Sequence, residues 1–135
     1  MTKAKITREA YGIRREIAGP FQETVERTRE VLKNEGFGVL TEIDMKAKLK
    51  EKLDKEFRDY VILGACNPGF AFEALENDLD IGLLLPCNVI VYESDNGTVV
   101  SAIDPEKAMS IAGDPGLEPI AKQVGEKLRT AIEAI

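Results

Sequence analysis

Short apolar runs of strand character are separated by amphipathic helical stripes in this chain, and this order limits its fold more than any other feature. Alternating or continuous apolar residues predict five strands, over residues 10–18, 37–43, 60–65, 81–92 and 98–103. Helical stripes with capping residues predict five helices, which begin near Pro20, Asp44, Asn67, Asp104 and Pro115. The order β-α-β-α-β-α-β-β-α-α therefore predicts an α+β fold, with a single mixed sheet of about five strands and helices packed on it.

Length and composition are those of one globular domain that covers residues 1–135. The chain is 44% hydrophobic and 31% charged, and a single domain is the expectation for this length. No apolar run approaches the roughly 20 residues of a membrane span, and the first residues lack the apolar core of a secretory signal. The net charge of −6 argues against general nucleic-acid binding. We therefore expect a cytoplasmic protein without nucleic-acid or membrane partners.

The absence of histidine excludes several kinds of active site. The sequence contains no histidine, so neither a Ser-His-Asp triad nor a Cys-His couple can be built. Zinc sites that use histidine are excluded for the same reason. Any acid–base chemistry would have to use Asp, Glu, Lys, Tyr or Cys side chains.

Two short motifs carry the polar groups most suited to chemistry. Cys66-Asn67-Pro68 and Pro86-Cys87-Asn88 contain the only two cysteines, and each cysteine is followed directly by asparagine. Both motifs lie at or inside apolar runs that are predicted as buried strands. Free thiols are expected rather than a disulfide scaffold, because no secretory signal is visible. The candidate binding residues are therefore Cys66, Asn67, Cys87 and Asn88.

Four longer motifs contain or follow these residues. They are Gly36-Phe37-Gly38-Val39-Leu40-Thr41-Glu42-Ile43-Asp44, Ile62-Leu63-Gly64-Ala65-Cys66-Asn67-Pro68, Gly82-Leu83-Leu84-Leu85-Pro86-Cys87-Asn88-Val89 and Asp104-Pro105. Together they resemble the family of domain of unknown function 302, over roughly residues 10 to 112. The resemblance implies a small α+β domain that forms a homodimer in prokaryotic cytoplasm. It implies no activity.

The first motif has two interpretations. Cys66 precedes a predicted helix that Asn67 would cap, and a thiol at a helix N-terminus is easier to ionise. Cys66 could then be the nucleophile or redox thiol of an enzyme. In the alternative, Asn67 and Pro68 only start the helix, and Cys66 is a small buried residue.

The second motif is predicted to lie inside a strand. Asn88 is flanked there by apolar residues, and asparagine is disfavoured in such a position. A buried amide without partners costs about 1–3 kcal/mol, so Asn88 is expected to bond another loop, a ligand or a partner subunit. It could hold the loop around Asn67 as a structural clasp, or it could present its amide to a bound anion or carbonyl group.

Contact between the two cysteines would give the pair a chemical role. A dithiol could be oxidised reversibly or bind a soft metal ion such as zinc. Cys66 and Cys87 would supply half of a closed zinc site, and carboxylates, water or a second subunit would complete it. Glu42 is a further candidate base or ligand, because it is predicted to project opposite the face of Phe37, Val39, Thr41 and Ile43; a solvated carboxylate is the alternative.

The residue types thus favour a protein that binds a soft metal ion or small ligand through thiols and amides. A thiol-dependent enzyme or redox protein that uses Cys66 is one alternative. A structural homodimer, in which both motifs only hold the fold together, is the other.

Two further patterns predict how single elements pack. Met45, Leu49, Leu53 and Phe57 recur at every fourth residue, which predicts a helix stripe in the core. Arg15 falls on the apolar side of the first strand, where an edge-strand charge that discourages pairing with other chains is the interpretation.

The apolar character of residues 81–92 predicts an assembly. Leu83, Leu85, Val89 and Val91 would lie on one face of this strand, and Leu84, Ile90 and Tyr92 on the other. Helices on a single face would leave the second set exposed. Because two-fold dimers are the commonest closed assembly, we predict a homodimer whose interface includes this strand or the neighbouring Cys-Asn loops.

Overall fold

The strands and helices are those of a computed structural model, which describes residues 6–8 and 10–135. The strands are β1 (Thr7–Arg8), β2 (Gly12–Ile17), β3 (Gly38–Asp44), β4 (Tyr60–Cys66), β5 (Cys87–Ser94) and β6 (Gly97–Ile103). The α-helices are α1 (Phe21–Asn34), α2 (Met45–Leu53), α3 (Pro68–Asn77), α4 (Pro105–Ser110) and α5 (Glu118–Glu133). Short 3-10 helices cover Leu79–Leu84 and Pro115–Leu117. The predicted α+β class and element order are confirmed.

All six strands belong to one sheet, in the order β1-β2-β6-β5-β4-β3. Every strand pairing in the described part of the chain is antiparallel, whereas the element order predicts a mixed sheet. The reason is that α2 and α3 do not carry the chain to a parallel neighbour. Each returns it to the adjacent antiparallel strand, and α1 takes it from β2 to the opposite edge of the sheet.

One face of the sheet is covered by α1 and α5, which also pack against each other. Alternate strand residues point toward these helices, and Leu63, Val89 and Val91 are fully enclosed there. Leu32 of α1 and Leu128 of α5 are equally enclosed. The core therefore lies between the two helices and this side of the sheet, which we call the covered face.

The other side of the sheet, the open face, carries a second set of apolar residues. Ile43, Ile62 and Ile90 are direct neighbours across β3, β4 and β5. Ile43 is 41% exposed, and the other two isoleucines are half-buried. Tyr60 and Tyr92, one row along, stack with ring centroids 5.4 Å apart. The open face therefore leaves a band of apolar and aromatic side chains in contact with solvent.

Several capping and turn residues act within a few positions along the chain, as their residue types indicate. The Asp44 side chain accepts a hydrogen bond from the backbone N–H of Ala47 at 2.9 Å, and thereby starts α2. Gly36 ends α1 in the left-handed conformation, with φ at +87°. Asp95 and Asn96 form the two-residue turn between β5 and β6, because Ser94 pairs with Gly97.

The long strand predicted over residues 81–92 is wrong in its first half. The 3-10 helix Leu79–Leu84 occupies that half, and β5 starts only at Cys87. The Asp78 side chain accepts from the backbone N–H of Asp80 at 3.0 Å and starts the 3-10 turn. A continuous apolar run does not by itself distinguish a strand from a short helix.

A bulge in β3 changes which of its residues share a face. Val39 pairs with Ala65 and Thr41 with Gly64, so the register shifts at the residue between them. Val39 therefore lies on the covered side and Thr41 on the open side. The predicted single face of residues 37, 39, 41 and 43 is wrong for this reason.

Arg15 is buried in the core side of the sheet and is not an edge charge. β2 lies between β1 and β6, and the Arg15 side chain is 3% exposed. One guanidinium nitrogen donates to the carbonyl oxygens of Ile132 at 2.8 Å and Glu133 at 3.1 Å. Arg15 thus caps the last turn of α5, where carbonyl groups lack helical partners.

The apolar stripe predicted for α2 is not buried in the core of the chain. No residue of α2 is buried, and Leu53 is 63% exposed. Phe57 lies beyond the helix, which Asp54 ends with a φ of 54°, and its ring sits 6.0 Å from that of Tyr60. The exposed apolar surface of this segment therefore adjoins the aromatic pair of the open face.

In the part of the chain that the structure describes, no helix is both long enough and apolar enough to cross a bilayer.

Candidate functional site

The two cysteines come together at one end of the sheet. Cys66 is the last residue of β4 and Cys87 is the first residue of β5. Because the two strands are antiparallel neighbours, with Ala65 opposite Cys87, both cysteines lie at the same end. Both are free thiols: Cys87 is buried and Cys66 is partly exposed. The structure thus places the two cysteines as neighbours at one end of the sheet.

Cys66 and Cys87 both line one narrow pocket between the sheet end, α3 and α5. Its cavity volume is about 20 Å³, which is enough for one water-sized occupant. The lining is apolar apart from the thiols and one amide, and comprises Phe37, Ala65, Cys66, Asn67, Phe70, Ala71, Ala74, Leu85, Pro86, Cys87, Met109, Ile120 and Val124. We call this space the thiol pocket.

The apolar walls keep both thiols protonated. Burial, and to a lesser extent the neighbouring Cys66, raises the pKa of Cys87 to about 11. Burial also raises the pKa of Cys66 above its usual value. The pKa of Cys66 is therefore raised rather than lowered as expected for a thiol at a helix N-terminus, and the cause is the loss of solvation on burial.

Asn67 occupies the N-cap position of α3, but its side chain makes no capping hydrogen bond. The predicted side-chain cap is therefore wrong. The amide is turned toward the end of α1 instead: its Nδ2 atom would lie 3.1 Å from a Cβ atom on Gly36. The Asn67 side chain also lines the thiol pocket, and it is the polar amide that an occupant there would meet.

Asn88 lies apart from the other three candidate residues. It is exposed, sits opposite Gly64 on the open face, and is not among the residues that line the thiol pocket. The prediction of a buried amide is wrong, because β5 is covered on one face and alternation turns Cys87 inward and Asn88 outward. The two Cys-Asn motifs therefore do not form one clasp.

Glu42 also lies away from the thiols. It is an exposed residue of β3, and its carboxylate forms an ion pair with Arg29 of α1. It borders a separate surface depression with Asp44, Asp59 and Glu93. In the described residues there is no group of three or more His, Cys, Asp or Glu side chains placed to hold a metal ion.

Gly64 and Met109 belong to the surroundings of the site, and the sequence interpretation did not select either. A Cβ atom on Gly64 would overlap Thr41 Oγ1 and lie 2.9 Å from Pro86 Cγ, so Gly64 lets the Pro86 segment approach β4. The sequence signal for Gly64 was its position inside a predicted strand, where glycine often marks a close approach of another segment. Met109, which is buried, places a third sulfur-bearing side chain on the thiol pocket, and its single occurrence in α4 carried no pattern.

Comparison with known proteins identifies the family but no activity. The crystal structure of an uncharacterized conserved DUF302 protein from Bacillus stearothermophilus superposes with a TM-score of 0.87, at 32% identity over 93% of this chain and 98% of that chain. No curated protein matches. A family model described as domain of unknown function DUF302 matches residues 13–135. The chain therefore belongs to the DUF302 family.

Proposed function

We propose that this protein binds a small ligand or a soft metal ion in the thiol pocket. The observation that carries the proposal is the meeting of two free thiols and one amide in a pocket with otherwise apolar walls. Such walls strengthen polar contacts with a bound group, because the local dielectric constant is low. Binding through Cys66, Cys87 and Asn67 accounts for the polar residues that the fold places there.

The size of the pocket favours a very small occupant. About 20 Å³ admits one ion or one water-sized molecule, and a larger ligand would require Phe70 or Leu85 to move. Thiols bind metals as thiolates. Because both thiols are protonated near neutral pH, metal binding would release protons and become tighter as the pH rises.

Thermal shift with added Zn²⁺ or Cu⁺, together with metal analysis of the purified protein, tests this proposal. The wild type should gain thermal stability, and Cys66→Ser and Cys87→Ser should abolish the gain. The two asparagines provide a matched control, because Asn67→Ala alters the pocket lining and Asn88→Ala does not. The absence of bound metal and of any shift, with these ions and in a small-molecule screen, would instead support a purely architectural role for the motifs.

A thiol-dependent enzyme or redox protein that uses Cys66 has less support. A catalytic thiol is activated by a lowered pKa, whereas burial raises the pKa of Cys66. The rate of Cys66 alkylation against pH distinguishes the two functions. Alkylation near pH 7 faster than that of a free thiol with a pKa of about 8.5 would favour the enzyme.

We further propose that the protein is a homodimer joined through the open face. The support is the row of Ile43, Ile62 and Ile90, extended by the aromatic pair and by Leu53 and Phe57. Monomeric proteins rarely expose a contiguous apolar patch of more than a few hundred Å². A two-fold partner would cover this surface with its own copy.

Sedimentation at micromolar concentration tests the dimer. The wild type should have twice the mass of the chain, and Ile90→Lys should yield monomers because it buries a charge in the interface. Leu83→Lys is the control, since Leu83 is 89% exposed and lies in the 3-10 helix rather than in the sheet. A monomeric wild type would contradict the proposal.

The compartment and source are also proposals. Free thiols are the usual state of cysteine in a reducing compartment, and the structural relative is bacterial. A prokaryotic cytoplasmic protein without membrane or nucleic-acid partners fits the thiols and the net charge of −6. Fractionation of the source cells is the direct check.

A further inference from the structure

We propose that Met109 is the third sulfur ligand of the thiol pocket, and that the site therefore selects a soft monovalent cation such as Cu(I). This inference rests on the proposed binding function and specifies its ligand. Three of the residues that line the pocket, Cys66, Cys87 and Met109, carry sulfur in their side chains. None of the described residues that line it carries a carboxylate or an imidazole.

The type of ligand atom decides which ion fits. Thiolate and thioether sulfur are soft ligands that suit Cu(I), whereas carboxylates suit Mg²⁺, Ca²⁺ and Mn²⁺. A closed zinc site takes four ligands from Cys, His, Asp or Glu, and only Cys66 and Cys87 of these types line the pocket. The set of two thiols and one thioether therefore matches Cu(I) better than Zn²⁺.

Met109 also gives the pocket an approach from outside. The same residue lines a second, larger pocket of about 420 Å³ between α4 and α5. The outer pocket is bordered by the carboxylates of Glu106, Asp114 and Glu118 and by one cation, Lys122, so its field attracts positive ions. Met109 lines both spaces, and its unbranched side chain adapts easily. A movement of this side chain would let an ion pass from the outer pocket to the thiols.

A Cu(I) titration of the full chain without oxygen, against a coloured Cu(I) chelator, tests the role of Met109. Met109→Leu preserves volume and should leave the fold intact. It should weaken Cu(I) binding at least about tenfold, the lower end of the loss that even a supporting group causes in a metal site. Met45→Leu is the matched control, because Met45 lies on α2 and is not among the lining residues, and it should bind as the wild type does.

The outcomes separate this inference from the proposed function. If the wild type binds Cu(I), Cys87→Ser does not, and Met109→Leu binds equally well, the function stands and the role of Met109 is overturned. A wild type that prefers Zn²⁺ to Cu(I) overturns the choice of ion and leaves metal binding in place. A wild type that binds neither ion refutes the metal form of the function and this inference with it.

Discussion

The two faces of the sheet are built from the same strands but have opposite surroundings. Leu63 and Val89 point into the helices and are fully enclosed, whereas their neighbours Ile62 and Ile90 point to the open side and are half-buried. β5 shows the contrast within two residues, since Cys87 is buried and Asn88 is exposed. A motif of adjacent residues in a strand is therefore divided between two environments.

The two faces suit different kinds of function. At the end of the covered side, the two cysteines lie in largely apolar surroundings, and burial keeps their thiols protonated. The open side presents a continuous row of isoleucines and a tyrosine pair. In the proposed function, ligand binding lies at the end of the covered face and assembly on the open face.

Truncation of adjacent residues in β4 should give the largest contrast. Leu63→Ala should lower the free energy of unfolding by about 3–5 kcal/mol, because it leaves a cavity in an enclosed site. Ile62→Ala should cost less than about 2 kcal/mol, since its site can relax into solvent. Urea unfolding measures both. Equal losses at high dilution, where any dimer has dissociated, would contradict the distinction between the faces.

A second contrast compares the two arginines of β2. Arg15→Met should cost about 2–3 kcal/mol, because it leaves the carbonyl groups at the end of α5 without their charged donor. Arg14→Met, on the open side and half-buried, should change stability by less than about 0.5 kcal/mol. The same unfolding experiment measures the difference, and a neutral Arg15→Met would show that Arg15 does not hold α5.

The pH dependence of stability tests the environment of Cys87. Its pKa is raised from 9.0 to about 11 in the folded protein, so the unfolded chain loses this proton first as the pH rises. The stability that the protonated thiol contributes is complete below pH 9 and should fall by about 2 kcal/mol by pH 11. Cys87→Ala should remove that part of the decline. An identical alkaline decline in wild type and variant would contradict the raised pKa.

The smallest expected effect is at Asn88. Because its amide is exposed, Asn88→Ala should change the free energy of unfolding by less than about 0.5 kcal/mol. If the amide were buried, as the sequence predicts, Asn88→Ala would instead lower the free energy of unfolding by about 1–3 kcal/mol. A loss in that range, present only at concentrations where the dimer forms, would place Asn88 in the interface.

Local chemistry was predictable from the sequence, and tertiary covering was not. Asp44, Gly36 and the Asp95-Asn96 turn act through bonds to residues a few positions away, so their types alone indicate their roles. Whether Asn88 is buried depends on which face of the sheet α1 and α5 cover. No local sequence pattern predicts which face that is. The bulge at Leu40 and the cap formed by Arg15 across more than 110 residues depend on long-range packing in the same way.

The candidate site was predictable as residue types but only partly as a site. Two cysteines near apolar strands indicated Cys66 and Cys87, and antiparallel pairing brings them together. Asn67 joins them, whereas Asn88 and Glu42 lie elsewhere. Met109 is distant in sequence from both cysteines and lines the pocket through the packing of α4. The residues next to it in the sequence therefore give no indication of this position.

Native mass spectrometry of the protein after anaerobic loading with Cu(I) tests the division between the faces most directly, because it reads chain number and metal content together. The wild type should appear as two chains with one copper ion per chain. Ile90→Lys should be a monomer that keeps its copper, and Cys87→Ala should be a dimer without copper. Three results would contradict this division between the faces: a monomeric wild type, copper retained by Cys87→Ala, or copper lost from Ile90→Lys.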